Sequence, residues 1–126
     1  MTKKILIVED EIALSQVLSD KFLQEGFDVK TAGDGQEGLE AIQSWKPDVV
    51  LLDIVMPRMD GMTMLHKLRE TPDGKRLPVI LLTNLSDTEN VYEAMANGVY
   101  DFLVKSHWDI NELVHEVQTK LLDNRS

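Results

Sequence analysis

Four consecutive apolar residues run directly into a carboxylate in the segment Val49-Val50-Leu51-Leu52-Asp53. An unbroken run of branched side chains is typical of a strand covered on both faces, as in a parallel sheet between helices. Pro47 stands two residues earlier and ends the helical pattern that precedes it. We therefore predict a buried strand here, with Asp53 at its carboxyl end.

Short apolar runs recur outward from this segment in both directions. They are Ile5–Val8, Phe27–Thr31, Val79–Leu82 and Phe102–Val104. The run at Phe27–Thr31 alternates apolar and charged side chains, which indicates an edge strand with one wetted face. Together with the central segment, these runs predict five strands.

Stretches with helical periodicity separate the runs. Each stretch carries apolar residues three and four positions apart, as one buried helix face requires. The five stripes are Leu14, Val17, Leu18 and Phe22; Leu39, Ile42 and Trp45; Met64, Leu65 and Leu68; Val91, Ala94 and Met95 in a helix opening near Asp87; and Ile110, Leu113, Val114, Val117 and Leu121. Gly26 and Gly98 are predicted stops, and Asp109 with Glu112 has capping-box spacing.

Strand and helix thus alternate five times, which favours an α/β domain with right-handed crossovers. Five strands favour the flavodoxin-like, doubly wound parallel sheet with strand order 2-1-3-4-5 and five helices. We expect residues 1–126 to form a single domain with its core at about 4–122. Thr71–Pro78 is predicted to be an extended surface loop.

Composition narrows the classes of function. The 126 residues include 22 acidic and 13 basic side chains, a net charge of −9, and no cysteine. This acidity argues against direct contact with nucleic acid or an anionic membrane, and the missing cysteines exclude disulfides and thiolate metal sites. The N-terminal apolar run is too short for a secretory or membrane-inserting segment, so we expect a cytoplasmic location without membrane insertion.

Polar side chains follow the predicted strands where each strand ends. They are Glu9, Asp10, Asp53, Thr83 and Lys105. The carboxyl ends of parallel strands meet at one edge of the sheet, where ligands bind. Clustered carboxylates repel one another, and a hard cation such as Mg²⁺ or Mn²⁺ would neutralise them.

This combination of groups suits a phosphoryl ligand. The metal ion and Lys105 would neutralise phosphoryl oxygens, and Thr83 would donate a hydrogen bond. A carboxylate is also a competent nucleophile toward phosphorus, and Asp53 is the best placed because it follows an apolar strand.

With this set of residues, the chain resembles a bacterial response-regulator receiver domain, in particular the single-domain, chemotaxis-regulator-like kind. The resemblance rests on Glu9-Asp10, on Leu51 to Gly61 with Asp53, Pro57 and Asp60, on Leu81-Leu82-Thr83 and on Phe102-Leu103-Val104-Lys105. It implies that Asp53 accepts a phosphoryl group from the phosphohistidine of a histidine kinase or phosphotransfer protein, in a two-component system.

The resemblance also implies a role for the residues around Asp53. Asp10, Asp53 and the backbone carbonyl of Val55 would hold Mg²⁺, with Glu9 acting through water. Thr83 and Lys105 would bind the phosphoryl group, and Thr83 would draw Phe102 inward as a switch.

Phosphorylation would then shift the face formed by the fourth and fifth helices and the fifth strand, for binding of an unidentified downstream protein. A phosphorylation-dependent dimer is compatible with this scheme. The domain would assist its own phosphotransfer and autodephosphorylation without being an enzyme that releases a product.

Several residues depart from the family pattern. Ser106 replaces the usual proline after Lys105, so we predict a trans peptide there. Asn84 replaces a small residue, and Phe102 replaces the commoner tyrosine. Apolar Val55 and Leu85 flank the site, so we expect a longer phosphoryl lifetime than in fast-hydrolysing relatives, which carry polar residues there.

Three other functions are alternatives to a phosphorylated receiver domain. A flavin-binding protein of the same fold needs a Ser/Thr/Gly-rich phosphate cradle, and Glu9-Asp10-Glu11 would repel a phosphate without metal. An aspartyl-phosphate hydrolase carries a second aspartate two residues beyond the nucleophile, where this chain has Val55. An interaction module that is never phosphorylated is the remaining alternative.

Overall fold

The computed structural model describes residues 2–53, 61–72, 74, 77–83, 96, 101–104 and 109–123. Its strands are β1 (Lys4–Val8), β2 (Asp28–Ala32), β3 (Val49–Asp53), β4 (Val79–Thr83) and β5 (Asp101–Val104). Its helices are α1 (Ile12–Gln24), α2 (Gly35–Trp45), α3 (Gly61–Arg69) and α4 (Ile110–Asp123). Helix α4 corresponds to the fifth helix of the sequence prediction. Of the fourth predicted helix, only Ala96 lies within the described residues, and it is helical.

The five strands form one parallel sheet in the order β2-β1-β3-β4-β5. This confirms the predicted flavodoxin-like strand order. In the register of the central strands, Val8 of β1 lies beside Leu52 of β3, and Asp53 lies beside Leu82 of β4. The residues that follow β1 and those that end β3 therefore meet at the carboxyl edge of the sheet.

Successive residues of the central strands belong to two separate cores on opposite faces of the sheet. Leu6, Val8, Val50 and Leu52 pack with α2 and α3, whereas their neighbours in β1 and β3 pack with α1 and α4. Every residue of β3 is buried. Coverage on both faces is why the sequence of β3 shows an unbroken apolar run rather than alternation.

Helix α1 buries a narrower face than its sequence predicted. Leu18 and Phe22 are fully buried, and Phe22 contacts Phe27 edge to face with 5.2 Å between ring centroids. Val17, which we predicted to be in the same buried stripe, is 54% exposed. The prediction was wrong because Val17 lies 100° around the helix from Leu18, on the side facing away from the sheet.

The helix boundaries follow local chemistry. Asp34 begins α2 and accepts a hydrogen bond from the backbone N–H of Glu37 at 2.9 Å. Asp109 does the same for the N–H of Glu112 at 2.8 Å, as the capping spacing predicted. Gly26 has a φ of +91°, in the left-handed region that commonly ends a helix.

Hydrogen bonds hold the described residues of the connection from α3 to β4. The Thr71 hydroxyl donates to the Leu68 carbonyl at 2.8 Å and accepts from the Gly74 N–H at 2.9 Å. Arg69 donates to the carbonyls of Gly74 and of Leu77, the latter at 2.9 Å. Arg69, the last residue of α3, thus supplies hydrogen bonds that the loop sequence alone does not reveal.

Replacing Gly74 with alanine should destabilise the protein by about 1–3 kcal/mol. A Cβ at this buried position would overlap the Leu68 carbonyl oxygen and lie 2.7 Å from Leu68 Cδ1. Chemical denaturation measures the loss. Gly33→Ala is the control, because its Cβ would meet only the movable Glu37 carboxylate. Equal stability of the two variants would contradict the close packing at Gly74.

Candidate functional site

Three carboxylates lie together at the carboxyl edge of the sheet. Glu9 follows β1, Asp10 comes next, and Asp53 is the last residue of β3. One oxygen from each of the three side chains lies within 4.8 Å of the other two. Glu9 and Asp53 are only 3% and 4% exposed, whereas Asp10 is exposed. Glu9 and Asp53 therefore form the buried part of the cluster, and Asp10 forms its exposed part.

Backbone pairing sets this arrangement. The parallel pairing of Val8 with Leu52 brings the next residues of the two strands, Glu9 and Asp53, to the same level. The Glu9 N–H donates to the carbonyl of Ala32 at 3.0 Å, which continues the pairing with β2 for one more residue. The Asp10 N–H then donates to Glu9 Oε2 at 3.1 Å as the chain turns toward α1.

The electrostatics of the cluster favour a cation. Two carboxylates 4 to 5 Å apart repel by roughly 3–4 kcal/mol at an effective dielectric constant near 20. Three such oxygens are hard ligands, the kind that divalent Mg²⁺, Mn²⁺ and Ca²⁺ take in proteins. Glu9, Asp10 and Asp53 therefore fit a bound divalent metal ion, which would offset the repulsion that folding imposes.

A pocket of about 260 Å³ opens beside Glu9 and Asp10. Its other walls include the hydroxyl side chains of Ser15 and Ser19 on α1 and of Thr31 on β2. None of these three residues is among the site residues predicted from the sequence. The signal available was the spacing of four between Ser15 and Ser19, which places both on one side of the helix that follows the acidic pair.

For two of the other predicted site residues, the structure gives the position in a strand. The rest fall outside the described part of the chain. Thr83 is the last residue of β4, one position beyond the residue that pairs with Asp53. Phe102 of β5 pairs with Leu81 of β4. The residues outside the described ranges are Val55, Asn84, Leu85, Lys105 and Ser106, so their predicted roles and the trans peptide at Ser106 remain predictions.

Within the described ranges, the structure contains no helix with the length and apolar character needed to cross a membrane.

Comparison with known proteins identifies the family of the chain. The family model described as "Response regulator receiver domain" matches residues 5–118. The DNA-binding response regulator MtrA of Mycobacterium tuberculosis is 34% identical over 98% of this chain and 53% of its own length. The chain spans only about half the length of such curated relatives.

Solved structures agree with the family match. The Francisella response regulator 1452 receiver domain aligns with a TM-score of 0.86 and 34% identity, covering 99% of this chain and all of that one. A CheY-like response regulator receiver domain protein from Methanospirillum hungatei aligns with a TM-score of 0.91 and 26% identity, covering 99% and 98%. The chain belongs to the response regulator receiver domain family.

Proposed function

We propose that this chain is a phosphorylation-activated switch of a two-component system, with Asp53 as the phosphoacceptor and residues 4–122 as one receiver domain. The observation that carries the proposal is the meeting of Glu9, Asp10 and Asp53 within 4.8 Å at the carboxyl edge of the sheet. Membership of the receiver family supports a histidine kinase or phosphotransfer protein as the donor. Receiver domains are signalling switches rather than classical enzymes.

The proposed reaction is a transfer between two nucleophiles. A carboxylate oxygen of Asp53 bonds to phosphorus while the bond from phosphorus to the donor imidazole nitrogen breaks, and the nitrogen keeps the electron pair. Asp10, Asp53 and the Val55 carbonyl would hold Mg²⁺, with Glu9 acting through water. The ion would neutralise the phosphoryl oxygens, a role that Mn²⁺ also fits.

The remaining proposed roles concern the response to phosphorylation. Thr83 and Lys105 bind the phosphoryl oxygens, Thr83 by a hydrogen bond and Lys105 by charge. The movement of Thr83 lets Phe102 turn inward and shifts the surface of β5, of α4 and of the predicted helix before β5. The phosphoryl group need only bind the active conformation better than the inactive one to shift the population.

Intact-mass spectrometry after incubation with acetyl phosphate tests the proposal. We expect one phosphoryl adduct on the wild type in Mg²⁺, none after chelation of the metal, and none on Asp53→Ala. Asp28→Asn is the control, since Asp28 is an exposed carboxylate at the start of β2, at the opposite edge of the sheet. An adduct that survives in Asp53→Ala refutes Asp53 as the acceptor. Turnover of small phosphate esters would instead favour the hydrolase alternative.

The aspartyl phosphate of this chain should decay more slowly than that of fast-hydrolysing receiver domains with polar residues at the positions of Val55 and Leu85. Apolar side chains at Val55 and Leu85 offer no group that could orient an attacking water. The same mass measurement, repeated at intervals after removal of the donor, gives the lifetime. Replacing Val55 with Asn should shorten it several-fold, and an unchanged decay rate would contradict this assignment.

A further inference from the structure

Strand β2 forms one edge of the sheet, and the described residues place no further strand beyond it. Its hydrogen bonds to β1 determine which of its backbone groups point inward. The Asp28 N–H donates to the Lys3 carbonyl at 2.9 Å, and the Ala32 carbonyl accepts the Glu9 N–H at 3.0 Å. In a parallel ladder, alternate residues direct both of their backbone groups at the same neighbouring strand. The backbone groups of Asp28, Lys30 and Ala32 therefore face β1.

The two residues between these three face the open side of the edge. The N–H and carbonyl groups of Val29 and Thr31 point away from β1, as the alternation requires. A row of such outward groups is a template for pairing with another strand. The Val29 side chain packs against the core shared with α1 and α4, which fixes the orientation of the strand. The edge thus offers two donors and two acceptors in a defined register.

The side chains along this edge carry opposite charges. Asp28 and Lys30 lie two positions apart, so they share one face of the strand, and both are exposed. Neither side chain forms an ion pair with another described residue. A lone lysine on an edge strand discourages pairing with a second chain. Here Asp28 balances Lys30, so the five residues of β2 have no net charge although the whole chain carries −9.

Two copies of β2 side by side in antiparallel orientation match these charges in one register. With Val29 opposite Val29 of a second copy, the two residues exchange both backbone hydrogen bonds, and Asp28 of each copy lies opposite Lys30 of the other. These charged pairs occupy non-hydrogen-bonded positions, where side chains come closest, and opposite charges there stabilise the pairing. The neighbouring registers are worse. A register centred on Lys30 sets the two lysines opposite each other, and one centred on Thr31 sets Asp28 opposite Asp34.

We propose that β2 pairs with β2 of a second copy of this chain, antiparallel about Val29, and joins two five-stranded sheets into one. The dimer has twofold symmetry, so the pair of Asp28 with Lys30 occurs twice. Such a short edge buries far less than the roughly 1,200–2,000 Å² of a stable interface, so the dissociation constant is on the order of 1 mM. Strand β1 separates this edge from Asp53, and the pairing does not depend on phosphorylation.

Sedimentation and amide chemical shifts of the full chain, measured between about 0.05 and 2 mM, test the pairing. We expect the average mass to rise well above that of the monomer with concentration. The amides of Val29 and Thr31 should shift in step with the mass, because they enter new hydrogen bonds, whereas those of Leu51 and Leu52 in the central strand should stay unmoved. A chain that remains monomeric, or a dimer that leaves Val29 and Thr31 unshifted, overturns the proposal.

Charge reversal separates this pairing from any other contact between copies. Asp28→Lys alone sets two lysines opposite each other, and Lys30→Asp alone sets two aspartates opposite each other. Each single variant should therefore self-associate at least about fivefold more weakly than the wild type. Reduced general repulsion predicts the opposite for Asp28→Lys, since this variant lowers the net negative charge of the chain.

An equimolar mixture of the two single variants restores opposite charges in both pairs, and so does the double variant Asp28→Lys/Lys30→Asp. Both should associate about as strongly as the wild type. All four positions altered across the two copies are exposed, so the variants should fold as the wild type does. Single variants that associate like the wild type, or a mixture that stays monomeric, would refute the register and with it the proposal.

Discussion

Asp10→Asn should make the protein more heat-stable without metal and less stable than the wild type in Mg²⁺. Without metal, the variant loses one of three carboxylates clustered within 4.8 Å, which relieves repulsion. Asp10 is exposed, so water screens much of that repulsion, and we expect a rise in melting temperature of only about 2–4 °C.

Mg²⁺ should reverse this order of stability. A ligand at 100 times its dissociation constant stabilises the folded state by about 2.7 kcal/mol. If losing the Asp10 oxygen weakens binding tenfold or more, the variant gains at most about 1.4 kcal/mol at the same concentration. Melting curves with and without Mg²⁺ measure the crossover, and Asp28→Asn should show none. A variant that Mg²⁺ stabilises as much as it does the wild type would exclude Asp10 as a ligand.

Phe22→Ala should cost about 3–5 kcal/mol of unfolding free energy, the largest stability loss that we expect of a single substitution in α1. The Phe22 ring is fully buried, packs in the core shared with α1 and α4, and contacts Phe27 edge to face. Removing it leaves a cavity that the rigid sheet beneath can fill only in part. Such a loss is a large fraction of the free energy of unfolding, which is about 5–15 kcal/mol for a typical native protein.

Urea denaturation measures this effect, with Val17→Ala as the matched control on the same helix. Val17 is 54% exposed, and alanine is the better helix former, so the control should stay within about 0.5 kcal/mol of the wild type. A loss at Val17 comparable with that at Phe22 would contradict the observed orientation of α1.

The strands of the sheet could be predicted from the sequence because the burial of a strand determines its pattern of apolar residues. The unbroken run before Asp53 arises from coverage on both faces, and the strand order followed from the number of strands. Once that order was known, Glu9, Asp10 and Asp53 had to meet, since the strands that carry them are neighbours. Topology, more than any single motif, made the acidic cluster predictable.

The errors and omissions have a different origin. Val17 was assigned to the core because periodicity shows that a residue is apolar but not how wide the buried face is. The hydrogen bonds of Arg69 to the α3–β4 connection depend on a side chain reaching eight residues along the chain to Leu77. Lys46 follows α2 with a φ of 55°, in the left-handed region, and no sequence signal predicted this because lysine is not a residue that marks this conformation.

The position of Asp53 on the central strand has a consequence for which parts of the protein open first. Amide hydrogen exchange through local fluctuations is fastest at edges and helix ends and slowest in strands enclosed by others. The order β2-β1-β3-β4-β5 places two strands on each side of β3, and all its residues are buried. Its amides should therefore exchange only through global unfolding, while β2 and the start of α1 open far more often. Asp53 should therefore stay in place through openings that reach Glu9, whose N–H donates to Ala32 of β2, and Asp10, which shortly precedes α1.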